Sequence, residues 1–72
     1  VDVQIEFMWK DEASNTGNCP ALYRVKDEND DGYVIQGKRI GAKTRAQLRE
    51  LGGDEDAVFV PANVIDRIKD LG

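Results

Sequence analysis

The sequence predicts a small α+β domain: an antiparallel sheet of about four strands covered by two short helices. Two observations carry that prediction. Three period-two or β-branched runs occupy the first forty residues, and two helix-like patterns fill the C-terminal half. The expected order is β-β-β-α-β-α, with residues 1–72 as one domain and no internal repeat or linker.

The first run alternates cleanly. Val1, Val3, Ile5, Phe7 and Trp9 fall on one face, and Asp2, Gln4, Glu6, Met8 and Lys10 on the other. This is the pattern of a half-buried strand. Asp11–Asn18 is rich in Ser, Asn, Thr and Gly and reads as a polar loop. Ala21–Lys26 and Tyr33–Ile40 read as two strands joined by the acidic turn Asp27-Glu28-Asn29-Asp30-Asp31-Gly32. There, Asp31-Gly32 is expected to supply the positive φ of a tight turn. Gly37 inside the second of these strands points to a bulge or a close backbone approach.

Thr44-Arg45-Ala46-Gln47 has the spacing of a capping box, which places a two-turn helix after Thr44. Leu48 and Leu51 would lie on its buried side, and Gly52-Gly53 would stop it. Ala57–Val60 is a short strand, and Pro61 suits the first turn of a last helix. Val64, Ile65, Ile68 and Leu71 form its apolar stripe, with Asp66, Arg67, Lys69 and Asp70 facing water. The expected core is Phe7, Trp9, Leu22, Val25, Ile35, Leu48, Leu51, Phe59, Val64, Ile65 and Ile68. Tyr23 and Tyr33 are expected to join it, because so small a domain has few other large residues.

Composition excludes several functions. With 72 residues, 40% hydrophobic and 33% charged, the chain is a globular domain with a marginal core. No apolar run is long enough to span a membrane, so no membrane association is expected. The start, Val1-Asp2-Val3-Gln4, lacks a basic segment followed by an apolar stretch, so no signal peptide is expected. The missing initiator Met suggests a trimmed or engineered start. A single cysteine, Cys19, cannot form an internal disulfide, which points to the reducing cytoplasm. Cys19 reads as a buried small hydrophobe. The chain has no histidine. That removes the commonest general base and metal ligand and rules out a Ser-His-Asp or Cys-His site built from this chain alone. No catalytic residues and no cofactor are expected.

Two charge clusters are candidate sites. In the acidic turn, Asp27, Asn29, Asp31 and Gly32 match the first half of an EF-hand loop. Lys38 then stands where the bidentate Glu belongs, and the flanks read as strands, so the turn is a weak metal candidate and reads better as a hairpin tip. The basic residues Lys38, Arg39, Lys43, Arg45 and Arg49 follow without an intervening acid. On one face they would form a patch for a protein partner or, less favoured at net charge -4, for nucleic acid.

Three short motifs carry a resemblance. Cys19-Pro20-Ala21-Leu22-Tyr23, Tyr33-Val34-Ile35-Gln36-Gly37 and Val60-Pro61-Ala62 resemble the Cys-Pro-x-x-Tyr, Tyr-Val-x-Gln-Gly and Val-Pro motifs of short uncharacterised actinobacterial proteins. The resemblance spans about two thirds of the chain, from Gly17 to Ile65. The acidic turn is longer than that family's. Trp9-Lys10 and Gly17-Asn18-Cys19, followed by a terminal strand and helix, are similar to small acidic actinobacterial proteins that accompany helix-turn-helix regulators. Asp11-Glu12 stand where that family usually has a serine pair. This second resemblance implies a protein partner rather than a catalyst, and neither supplies active-site residues.

The sequence therefore points to a non-catalytic bacterial interaction module in a regulatory setting that presents a sheet edge or the basic strand-helix face to a protein. Alternatives are nucleic-acid binding through the basic patch, mimicry of DNA by the acidic tips Asp27–Asp31 and Asp54–Asp56, and an enzyme subunit completed by another chain. The N-terminal strand is also a candidate homodimer edge.

Overall fold

A computed structural model describes residues 1–14 and 19–71. The architecture is α+β, as the sequence predicts. β1 (Ile5–Lys10), β2 (Ala21–Val25) and β3 (Tyr33–Gln36) form an antiparallel sheet in that order. β4 (Lys38–Arg39) and β5 (Val58–Phe59) form a separate two-stranded ribbon. Between them lie α1 (Ala42–Arg45) and a long loop; α2 (Ala62–Asp66) follows β5 and tightens into a 3-10 helix, Arg67–Leu71. Part of the polar loop, residues 15–18, lies outside the described residues, as do Gly17 and Asn18 of the second resemblance.

One irregularity in β1 decides which side chains are buried. Ile5, Glu6 and Phe7 pair with Val25, Arg24 and Tyr23, but Trp9, two residues past Phe7, pairs with Leu22, only one residue before Tyr23. Met8 is therefore the extra residue of a β-bulge. Paired residues share a sheet face, so Trp9 joins Leu22 on the face opposite Phe7 and Tyr23. The simple alternation expected of Val1–Lys10 is corrected here. Phe7 is 58% exposed, whereas Trp9 is half-buried.

The core lies between the Trp9 face and α2, where Leu22 and Val64 are completely buried. The Trp9 indole N–H donates to the Val64 carbonyl at 2.8 Å, and the Arg67 guanidinium lies 4.8 Å from the ring centre. Arg67, expected to face water, is therefore half-buried over the tryptophan. A polar latch reinforces the junction. Asn63 Nδ2 donates to Asp11 Oδ1 at 2.9 Å, and the Glu12 amide donates to Asn63 Oδ1 at 3.2 Å.

Of the expected core, Leu22 and Val64 are buried, and Trp9, Val25 and Ile68 are half-buried. Ile35, Leu48, Leu51, Phe59 and Ile65 are exposed, as is Tyr33; Tyr23 is half-buried. The reason is a shortage of covering elements. A single short helix packs on one face of the sheet, and every residue from Gly41 to Asp56 is exposed.

Three local readings also change. The expected strand Tyr33–Ile40 breaks at Gly37, whose α-carbon abuts β5. A β-carbon there would lie 2.5 Å from the Phe59 carbonyl oxygen and 2.8 Å from Val60 Cγ1. This is the close approach that the glycine suggested. The turn before β3 contains no positive φ. It is a longer loop, closed by the Val25 amide donating to the Gly32 carbonyl, so no left-handed residue is required. Finally, the capping box does not form. The helix begins after Gly41, ahead of Thr44, and the Gln47 side chain donates to the Lys43 carbonyl at its far end.

Replacing Trp9 by Phe keeps a ring beneath Arg67 but removes the donor to Val64. Urea unfolding followed by far-UV circular dichroism is expected to show a loss of about 1–2 kcal/mol. A loss below about 0.5 kcal/mol would mean that the indole bond contributes little. Gly37→Ala is expected to cost about 1–3 kcal/mol through overpacking against β5. Gly53→Ala has open space around it and should stay within about 0.5 kcal/mol of the parent. Equal effects at the two glycines would refute the close-approach reading.

Candidate interaction surface

The five basic residues are all exposed, on β4 (Lys38, Arg39), on α1 (Lys43, Arg45) and in the loop beyond it (Arg49). They are not an isolated positive face. Arg45 Nη2 meets Asp56 Oδ1 at 2.6 Å, so Asp56 of the second acidic cluster reaches back to the basic helix. The Arg45 hydrogen bond, the Ala57 amide and the charges of Arg45 and Arg39 hold the Asp56 carboxyl below its ordinary value. Nearby, the Gly52–Glu55 turn is tied in both directions: Gly52 N–H donates to Glu55 Oε1, and Glu55 N–H donates to the Gly52 carbonyl.

The acidic turn is partly committed to structure. Asp27 Oδ2 accepts from the Gln4 amide at 3.3 Å, and the Asp27 carbonyl accepts from the Asp30 amide. Among the described residues, no three His, Cys, Asp or Glu side chains converge as a metal site would need. Cys19 is buried at the start of β2. Its sulfur contacts the Ser14 hydroxyl and lies 4.0 Å from the Lys10 ammonium, so its surroundings are more polar than expected of a small hydrophobe.

The surface that sequence reasoning missed is the sheet face opposite α2. Register places Ile5, Phe7, Tyr23, Val25 and Val34 on it. The Phe7 and Tyr23 rings meet edge to face with centres 5.8 Å apart. Tyr23 donates its hydroxyl proton to Gln36 Oε1 at 2.9 Å, leaving its ring within an apolar face. α2 and the 3-10 helix lie on the other side, and Ile5 and Phe7 are left exposed. The available signal was arithmetic: two apolar faces and one helix long enough to cover one of them.

The exposed area gives the scale. The chain exposes 6033 Å² at 8.0 kDa. Surface-to-mass scaling gives about 4,500 Å² for a folded monomer of this mass, an excess of about 1,500 Å². The radius of gyration, 13.5 Å, likewise exceeds the roughly 11 Å expected of a compact domain of this length.

No protein-family model matches the chain, and no curated protein and no solved structure is significantly similar to it. Among the described residues, no helix is long and apolar enough to cross a membrane.

The Arg45–Asp56 pair has a defined pH signature. A carboxyl whose folded-state pKa is lowered contributes stability above its unfolded value, and that contribution is lost as pH falls through the folded value. The difference in Tm between the parent and Asp56→Asn is therefore expected to be positive at neutral pH and to shrink on acidification through the Asp56 titration. Thermal unfolding across a pH series measures it. A difference that does not change with pH would show that the charge of Asp56 is immaterial.

Proposed function

We propose that this chain is a non-catalytic interaction module that binds a protein through the apolar face of its three-stranded sheet. The observation that carries this reading is the sheet face that no helix covers, where Ile5 and Phe7 are exposed beside the half-buried Tyr23, Val25 and Val34. Aromatic side chains on a rigid sheet are efficient binding anchors, because they offer large contact area for little lost conformational freedom.

This reading moves the binding surface from where the sequence suggested. A bulge at Met8 interrupts β1, one free edge of the sheet, and β3, the other edge, is only four residues long. Both features blunt strand addition. The basic strand-helix face is also a weaker candidate, because Asp56 engages Arg45 and the charge of Arg39 reaches the same carboxylate. That engagement equally weakens the nucleic-acid reading. The lone cysteine supports a reducing, cytoplasmic setting. The likeness to small proteins that accompany helix-turn-helix regulators supports a regulatory role in a bacterium.

Photo-crosslinking in cells that make the protein tests the surface directly. A benzophenone side chain at Phe7 is expected to give a discrete protein adduct, and the same group at Lys43 on α1 is not. Absence of an adduct from position 7, or an equal adduct from both positions, counts against binding through this face.

A further inference from the structure

We propose that the apolar sheet face is covered by the same face of a second copy of this chain, the two sheets packing with their strands antiparallel. The inference rests on the interaction-module reading and names its partner.

The middle of the face is a row running straight across the three strands: Phe7 pairs with Tyr23, and Tyr23 with Val34. Charge is unequal on the two sides of this row. At the end where β1 begins and β2 gives way to β3, the loop carries Asp27, Glu28, Asp30 and Asp31 against one cation, Lys26. At the opposite end, Lys10 closes β1, and Lys38 and Arg39 follow β3. Asp11 and Glu12 also lie at that end; the Asp11 carboxylate is bonded to Asn63 of α2, on the helix side of the sheet, and the Lys10 ammonium donates to the Ser14 carbonyl, so the three cations there outnumber the two acids by one.

Two face-to-face arrangements satisfy two-fold symmetry with the axis in the plane between the sheets. An axis along the strands stacks the acidic loop on its own copy, which like charges oppose. An axis along the Phe7–Tyr23–Val34 row reverses the strands. It keeps the aromatic row on itself and brings each acidic loop over the lysine end of the other copy. The second arrangement is self-complementary in charge. It sets Lys10 toward the side where Asp27 holds the Gln4 amide, and Lys38 toward Asp31, which leads into β3.

Sedimentation velocity over about 1 to 500 μM, the range of affinity such an interface supports, tests the proposal. The parent chain is expected to reach twice its 8.0 kDa mass. Phe7→Thr keeps a strand-forming residue and is expected to weaken the dimer at least about tenfold. Lys38→Glu and Asp31→Lys should each weaken it several-fold, and both changes in one chain should restore it. Each variant is checked for an unchanged far-UV spectrum, and the charge variants lie outside the packed sheet.

A parent chain that stays monomeric throughout overturns the proposal, as does a dimer indifferent to Phe7→Thr or a double charge variant weaker than either single one. A monomeric chain that still crosslinks from position 7 to a different protein overturns the second copy and leaves the interaction-module reading standing. Absence of both dimer and adduct overturns the two together.

Discussion

The packing of α2 on the three-stranded sheet depends on the contact with Trp9. The indole donates to the Val64 carbonyl from a strand fifty-five residues earlier, with Arg67 stacked on the ring and Leu22 and Val64 closed beneath. A bond of this kind matters most in a domain where, among the described residues, two side chains are completely buried and hydrophobic burial alone leaves little margin. The bulge at Met8 makes it possible. Without the extra residue Trp9 would follow Phe7 onto the far face, and α2 would meet no aromatic.

The same bulge has a cost elsewhere. By turning Trp9 inward it leaves Phe7 and Ile5 on a face that no helix covers. A chain this short cannot bury both sides of a three-stranded sheet with one five-residue helix and a 3-10 extension. The Lys38–Val60 segment does not help, because its helix and loop stand in solvent and its ribbon meets the end of β3 where Gly37 approaches β5. The face that no helix covers thus follows from how few elements the chain has.

Much of the element order was legible. The β-branched alternation before Lys10, the Pro61 start of α2 and the Gly37 interruption all act locally, through side-chain crowding and backbone freedom, so they leave a mark in the sequence. Thr44–Gln47 misled because a capping-box spacing arises by chance in polar segments. The chain had already entered its helix after Gly41, with the Gln47 side chain turned to the Lys43 carbonyl. The charge clusters were located correctly along the chain but not relative to one another. The meeting of Arg45 and Asp56 depends on how the loop between them folds back.

The sequence by itself determined the α+β class, the order of strands and helices, the want of histidine chemistry and the positions where the chain must turn. Those are properties of periodicity and residue type. Only the tertiary structure decided which face is core. A one-residue bulge exchanges the faces of Phe7 and Trp9, and no local preference marks where it falls. Its position is set by the demand that Trp9 reach Val64, a requirement that exists only once the two ends of the chain have met.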